Sequence, residues 1–329
     1  MVRRQPILTG LAEPGTATSV TRCGSPTVYA ILEASKELGL GTAACWFIER
    51  LAPRGRGRRV HSALFISTAV AYALSFALYL IFLNTGRVLT GRLGTLLLAA
   101  GLVTHYFALL GRSRGTHTVP YHDLYGAMSL FGWLLALTYL ALELYHRQRS
   151  VGALVVPFIL LFFVGAHLAP ADRLSPPPAH GPLFAFHVTL NILAYSAFAL
   201  AFVLSLTFLI EERFLRNHKL GDVVWRLPPL ELLERMSRSS VLIGLVCITI
   251  GTAFGFLWVY RLSSEYSFYD PKYAITLLVL ILYAVYFRLA RTTAWRGARA
   301  SKLCVFNFLI VFLSFTVVNL YLSANHRFF

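Results

Sequence analysis

Eight long apolar runs dominate this chain, and they restrict it to one class of fold. The runs cover residues 61–83, 93–111, 123–145, 151–169, 182–210, 240–260, 273–290 and 303–325. As an α-helix rising 1.5 Å per residue, each run is long enough to cross about 30 Å of hydrocarbon. A helix also satisfies its backbone hydrogen bonds internally, as lipid requires. We therefore predict an all-α, polytopic integral membrane protein with about eight transmembrane helices.

The composition excludes two other classes of protein. Hydrophobic residues make up 57% of the chain and charged residues only 13%, whereas an ordinary soluble domain carries about twice that charged fraction. The net charge of +16 raises the question of nucleic acid. However, the basic residues lie in short connections between apolar runs, and no basic groove with interleaved aromatics is present. We therefore predict that the basic residues set the orientation of the chain in the lipid bilayer and that the protein does not bind nucleic acid.

Lysine and arginine residues predict the orientation. The connections after the first, third, fifth and seventh runs contain fifteen of them, and the connections after the second, fourth and sixth contain five. The positive-inside rule places the first set in the cytoplasm. Four arginines just before residue 61 oppose this assignment, but they belong to a segment of different character. We predict a multi-pass protein of the cell inner membrane, with the loop at 262–272 and the C-terminus external.

Residues 1–60 differ from the remainder of the chain. They mix Pro, Gly, Thr and Ser without periodicity, and the apolar stretch near residue 40 is interrupted by Glu33, Lys36 and Glu37. Three charges disfavour a membrane span. We predict two regions: a poorly ordered or interfacial N-terminal extension at 1–60, and an eight-helix membrane domain at 61–329.

The loop LSSEYSFYDPK connects the sixth and seventh runs, and its rings suit either an interfacial aromatic belt or a ligand platform. Its neighbours form an ordered set of short motifs: GFLW with Gly255 and Trp258, DPK at 270–272, WRG at 295–297, and Asn319 followed seven residues later by His326. This order resembles the haem-handling CcsA/ResC proteins of cytochrome c biogenesis and the related HemX-like membrane proteins. The chain resembles a divergent member, because Ser263, Ser267 and Tyr269 stand where the family's loop has tryptophans.

The resemblance implies a haem cofactor presented on the external face. Haem iron takes neutral imidazole as an axial ligand, and its porphyrin needs an apolar, aromatic shelf. Candidate iron ligands are His326, His117 and His122. The wider set of candidate haem-binding residues adds His187, Trp258, Tyr266, Phe268, Tyr269 and Asp270. The resemblance to this family further implies a CcsB/ResB-like membrane subunit and apocytochrome c as partners. Whether the chain is an enzyme stays open; as part of a cytochrome c synthetase it would contribute to haem attachment.

Several of these assignments have alternatives. His187 lies in an apolar helix, where an ionisable group indicates a functional site, but with Asn191 it could also form a hydrogen bond between helices. The family's ligand before the third run aligns with Thr118, so either His117 or His122 replaces it or this ligand is lost. The family's second membrane-embedded histidine aligns with Arg288, which cannot ligate iron.

A second functional hypothesis is a HemX-like regulator of tetrapyrrole synthesis. Its basic cytoplasmic segment at 211–239 would dock glutamyl-tRNA reductase. Within that segment, LPPLELLERMS at 227–237 predicts a short interfacial helix with Leu230, Leu233 and Met236 on its apolar face. A small-solute transporter is disfavoured, because no inverted repeat and no broken helix with a paired acid is found in the sequence.

Overall fold

A computed structural model describes residues 56–116, 121, 123–168, 181–217, 228–262 and 271–317. Within these ranges the chain forms eight α-helices and one 3-10 turn. The helices are α1 (Arg56–Thr85), α2 (Val88–Thr116), α3 (Leu124–His146), α4 (Gly152–Leu168), α5 (Gly181–Arg216), α6 (Leu230–Leu262), α7 (Pro271–Leu289) and α8 (Ala298–Val317), and the 3-10 turn is Thr293–Trp295. As far as the described residues reach, each predicted apolar run lies on one of these helices; the last run, 303–325, is described only to Val317. The prediction of an all-α polytopic membrane protein is confirmed.

The apolar lengths of these helices match a bilayer. Among the described residues, five helices are long and apolar enough to cross a membrane, namely α1, α2, α3, α5 and α6. Helix α4 and the part of α7 from Ala274 to Leu289 are shorter apolar helices. The predicted N-terminal extension at 1–60 lies outside the described residues except for the first turn of α1, and it remains a prediction.

Helix α5 is the central element of the bundle. It contributes Leu200, Leu204 and Phe208 to a core shared with α1–α4. On its other side it contributes Ala194, Phe198 and Ala201 to a second core shared with α6, α7 and α8. The helix extends through Arg216, six residues past the end of the apolar run at 182–210. Its 36 residues therefore join the two cores and project beyond the hydrocarbon.

The prediction of a separate, short interfacial helix at 227–237 is wrong. Helix α6 begins at Leu230, directly after Pro228 and Pro229, and continues unbroken to Leu262. Leu233 and Met236 are fully buried in the core shared with α1–α4. Their apolar face stays in register with that of the membrane span, so the segment packs against α5 instead of lying on the membrane surface.

Candidate functional site

Helices α5 and α6 pack closely along a line of glycines. A Cβ atom added at Gly244 would lie 2.4 Å from the Phe198 ring, and one added at Gly255 would lie 2.5 Å from His187 Nδ1. Real Cβ contacts are about 1 Å longer than this. Because Gly255 has no side chain, the His187 ring can pack directly against α6 at this position.

The His187 ring is held in one orientation by the backbone of α6. Its Nδ1 lies 2.7 Å from the carbonyl oxygen of Gly251. A carbonyl only accepts, so Nδ1 must carry the proton and donate it. Nε2 is then the nitrogen with the lone pair, and among the described residues no hydrogen bond reaches it. Asn191 Nδ2 donates to the His187 carbonyl at 2.8 Å, which reinforces this turn of α5.

Aromatic rings cluster beside His187. Phe184 lies one turn earlier on α5, with its ring centroid 6.2 Å from that of His187 and 4.8 Å from that of Trp258. Tyr121, just before α3, lies 6.1 Å from Phe184. Partial burial raises the pKa of the Tyr121 phenol, so its hydroxyl stays protonated at neutral pH. Trp258 is buried and its ring packs against that of Phe184. Phe184 and Tyr121 are half-buried.

A second polar cluster lies at the same end of the bundle. Asp123 forms an ion pair with Arg112 and caps α3 by accepting a hydrogen bond from the Gly126 amide at 3.0 Å. The Arg112 guanidinium lies 3.9 Å from the centroid of the Tyr125 ring. The Tyr125 hydroxyl lies 3.1 Å from His167 Nε2, near the end of α4. The ends of α2, α3, α4, α5 and α6 therefore meet on one face.

The structure describes two of the predicted site residues and brings them together. His187 and Trp258 lie 71 residues apart along the chain, yet both lie next to the Phe184 ring. The remaining predicted residues lie outside the described residues: His117, His122, Tyr266, Phe268, Tyr269, Asp270 and His326. Arg288 is exposed in the last turn of α7.

The sequence analysis missed His167 and His105. His105 is fully buried, with Nε2 at 3.0 Å from the Ser129 hydroxyl and Nδ1 at 3.3 Å from the Tyr72 hydroxyl. The His167 ring lies against that of Phe65 at a tilt of 34°, with ring centroids 3.6 Å apart. Both histidines lie inside apolar runs, and an ionisable residue within such a run was the signal that could have found them.

The residues at this face fit a haem group. Metal-binding histidines almost always donate their second ring nitrogen to a carbonyl or carboxylate, and His187 does so through Nδ1. A porphyrin also needs apolar rings near its ligand, which Phe184 and Tyr121 supply. Among the described residues no cluster of three or more histidine, cysteine or acidic side chains is placed to hold a bare metal ion. The arrangement therefore supplies one oriented imidazole with aromatic rings near it.

These features define a class: a helical membrane protein with an oriented imidazole and aromatic side chains at one face. A profile of the family described as "Cytochrome C assembly protein" matches residues 121–326, more than half of the chain. The chain belongs to this family, and its role lies in cytochrome c biogenesis. Helices α1 and α2 lie before the matched residues.

Individual relatives are similar to the chain at modest identity. The cytochrome c biogenesis protein CcsA of Mesostigma viride is 25% identical over 239 residues, covering 65% of this chain and 78% of that protein. CcsA of Heterosigma akashiwo (strain NIES-293 / 8280G21-1) is 26% identical over 250 residues, with the same coverage. CcsA of Synechococcus sp. (strain CC9605) is 24% identical over 227 residues, covering 61% of this chain and 75% of that protein.

Proposed function

We propose that this protein presents haem on the external face of the cell inner membrane during the assembly of c-type cytochromes. The observation that carries the proposal is the orientation of His187. Its Nδ1–H is committed to the Gly251 carbonyl, which leaves Nε2 as a neutral, electron-donating nitrogen. Neutral imidazole is the ligand form that haem iron takes.

The surroundings of His187 supply the other requirements of haem binding. Phe184 offers ring surface beside the imidazole, and Tyr121 and Trp258 both lie against Phe184. Arg261 is exposed at the end of α6, where its guanidinium suits a haem propionate. In this proposal the loop residues Tyr266, Phe268, Tyr269 and Asp270, which connect α6 to α7, complete the shelf.

Iron in a low-spin haem takes two axial ligands. The described residues offer His187 on one side, since His167 Nε2 is paired with the Tyr125 hydroxyl. In this proposal the second imidazole comes from His117, His122 or His326, the three candidate iron ligands that the sequence offers. A CcsB/ResB-like subunit and apocytochrome c are the partners we assign to it, with haem as cargo passed to the apocytochrome.

The excess of Lys and Arg supports the orientation of this face toward the outside. The opposite end of the bundle carries Arg87, Arg147, Arg213, Arg235, Arg291 and Arg299, all exposed. Short basic connections remain on the cytoplasmic side. The face with His187 and Trp258 is then external, where c-type cytochromes acquire haem.

The test is an absorption spectrum of the purified full-length protein. We expect a Soret band with low-spin α and β features. His187→Ala should shift the spectrum to a high-spin form or lose haem, with partial recovery in added imidazole. His146→Ala is the matched control, since His146 is also half-buried at a helix end and bonds Ser239 at 3.2 Å, but at the opposite face. A haem-free parent protein, or a His187→Ala spectrum identical to the parent, would contradict the proposal.

One observation favours the second candidate function, a HemX-like regulator. Beyond the hydrocarbon, the end of α5 exposes Phe214 and Leu215 beside Arg213 and Arg216. Exposed apolar side chains among cations suit an acidic protein surface, and the partner we assign in this case is glutamyl-tRNA reductase. Direct binding of purified glutamyl-tRNA reductase, weakened at least tenfold by Phe214→Ser, together with a haem-free spectrum, would select this function over haem presentation.

A further inference from the structure

The inner face of α1 carries a line of polar side chains that the haem site does not use. Thr68, Tyr72, Ser75 and Tyr79 are spaced by four, three and four residues, so they share one face of the helix. All four are fully buried. The opposite face exposes Ile66, Val70 and Leu74, which suits lipid. Helix α1 therefore turns its hydroxyl groups toward α2, α3 and α4.

Near the external end, two histidines continue this line. The hydroxyls of Thr68 and Thr104 lie 2.9 Å apart. One turn further, the His105 ring bridges the hydroxyls of Tyr72 and Ser129, at 3.3 and 3.0 Å. Ser129 lies one turn along α3 from Tyr125, whose hydroxyl bonds His167. Both nitrogens of His105 thus have hydroxyl partners on different helices.

Near the cytoplasmic end, the line ends on a buried carboxylate. Glu143 Oε2 accepts hydrogen bonds from the Tyr79 and Tyr139 hydroxyls at 2.6 and 2.7 Å, and Oε1 accepts one from the Thr95 hydroxyl. Glu143 is only 2% exposed, and Arg149 Nε lies 4.0 Å from it with its side chain 32% exposed. Arg149 therefore links the buried carboxylate to the cytoplasmic surface.

These groups together span the hydrocarbon. Tyr125 and Glu143 are eighteen residues apart on α3, which is about 27 Å along the helix axis at 1.5 Å per residue. Between the hydrogen-bonded groups, successive levels lie one helical turn apart, about 5.4 Å. The Ser75 hydroxyl donates to the Gly94 carbonyl at 2.8 Å. A water molecule with two hydrogen bonds of about 2.8 Å is long enough to bridge a gap of one turn, and proton transfer between these levels requires such a water. We name this set the polar file and define it as Tyr125, His167, Ser129, His105, Tyr72, Ser75, Tyr79 and Glu143.

Helix–helix adhesion alone does not account for the polar file. Serine and threonine suffice for hydrogen bonds between membrane helices, whereas ionisable side chains inside a membrane are costly and mark ion or proton pathways. The polar file contains a fully buried histidine and a nearly fully buried glutamate at different depths. It also depends on α1 and α2, which precede the residues matched to the cytochrome c assembly family.

We propose that helices α1–α4 conduct protons across the membrane along the polar file. A proton from the external solution is taken up near Tyr125 and His167. Each hydroxyl, water or imidazole then accepts a proton on one side and releases another from its opposite side. His105 accepts on one nitrogen and releases from the other. Glu143 accepts the proton that arrives through Tyr79 and releases it to water beside Arg149. No electron moves, and one proton leaves for each that enters.

The test uses the purified full-length protein in phosphatidylcholine vesicles loaded with a pH-sensitive dye. A potassium gradient with valinomycin sets the membrane potential. We expect potential-driven proton entry at least tenfold faster than in protein-free vesicles. Tyr72→Phe should lower this flux at least tenfold, because it removes only a hydroxyl and keeps the ring that packs against Gly101. Ser129→Ala and Glu143→Gln should lower it similarly.

The matched control is Thr249→Val on α6. The Thr249 hydroxyl is exposed and bonds the carbonyl of Leu245 in its own helix, so this variant removes a hydroxyl outside the polar file and should conduct like the parent. A parent protein no more permeable than empty vesicles would overturn the proposal. Tyr72→Phe and Ser129→Ala proteins that conduct normally would also overturn it. If the parent protein shows no proton flux and the substitutions only lower the thermal unfolding midpoint, the polar file serves only as a set of hydrogen bonds between helices.

Discussion

Gly255→Ala is the sharpest test of how the external site is built. The added Cβ would lie 2.5 Å from His187 Nδ1 and 2.6 Å from Cε1. An ordinary contact needs about 3.5 Å, so the imidazole must move away from α6 by about 1 Å. The same movement lengthens the 2.7 Å hydrogen bond to Gly251 beyond the limit for such a bond.

The cost of this movement follows from its two parts. A lost hydrogen bond costs about 1 kcal/mol, and an overpacked contact costs about 1–3 kcal/mol. If haem needs His187 in its present orientation, a binding loss of about 1.4 kcal/mol already lowers affinity tenfold. We therefore expect Gly255→Ala to retain at most one tenth of the parental haem affinity.

The assay is haem titration of the purified variant, with the haem content measured by pyridine haemochrome. Gly165→Ala is the control, because its added Cβ would meet only the flexible tip of Met128, at 3.2 Å. Parental haem affinity in Gly255→Ala, with parental thermal stability, would refute the reasoning. Such a result would mean that the His187 ring is not held between α5 and α6 as described.

Three further predictions concern other parts of the chain. Phe198→Ala should destabilise the protein by about 3–5 kcal/mol, because the fully buried ring stacks on Tyr283 at 3.7 Å; an unchanged unfolding midpoint would contradict this. Reporter fusions after Lys272 should report the external side and fusions at Trp295 the cytoplasm, and reversed signals would invert the proposed orientation. His326→Ala should convert bound haem to a high-spin form, whereas a parental spectrum would remove this residue from the set of ligands.

The sequence alone determined the helices and the class of protein. Hydrophobicity is a local property, and in lipid it leaves an apolar segment little choice but a helix. Within the described residues, the predicted runs therefore lie on helices. The ordered motifs also predicted the family, and the family profile that matches residues 121–326 confirms it.

The contacts between helices were decided by the tertiary structure. Leu233 and Met236 have the periodicity of an interfacial helix, and only their burial against α5 shows that they extend a membrane span. Similarly, His187 and Gly255 were noted separately in the sequence. Their contact depends on the register of α5 against α6, which is set by side-chain volumes around two residues that lie 68 positions apart.

The polar file shows the same division. The spacing of Thr68, Tyr72, Ser75 and Tyr79 can be read from the sequence, but aromatic and hydroxyl residues in an apolar run fit a lipid interface equally well. Whether that face meets lipid or protein is a question of helix rotation. Packing of the Tyr72 and Tyr79 rings against Gly101 and Gly94 sets that rotation, so only the folded bundle determines that these hydroxyls face His105 and Glu143.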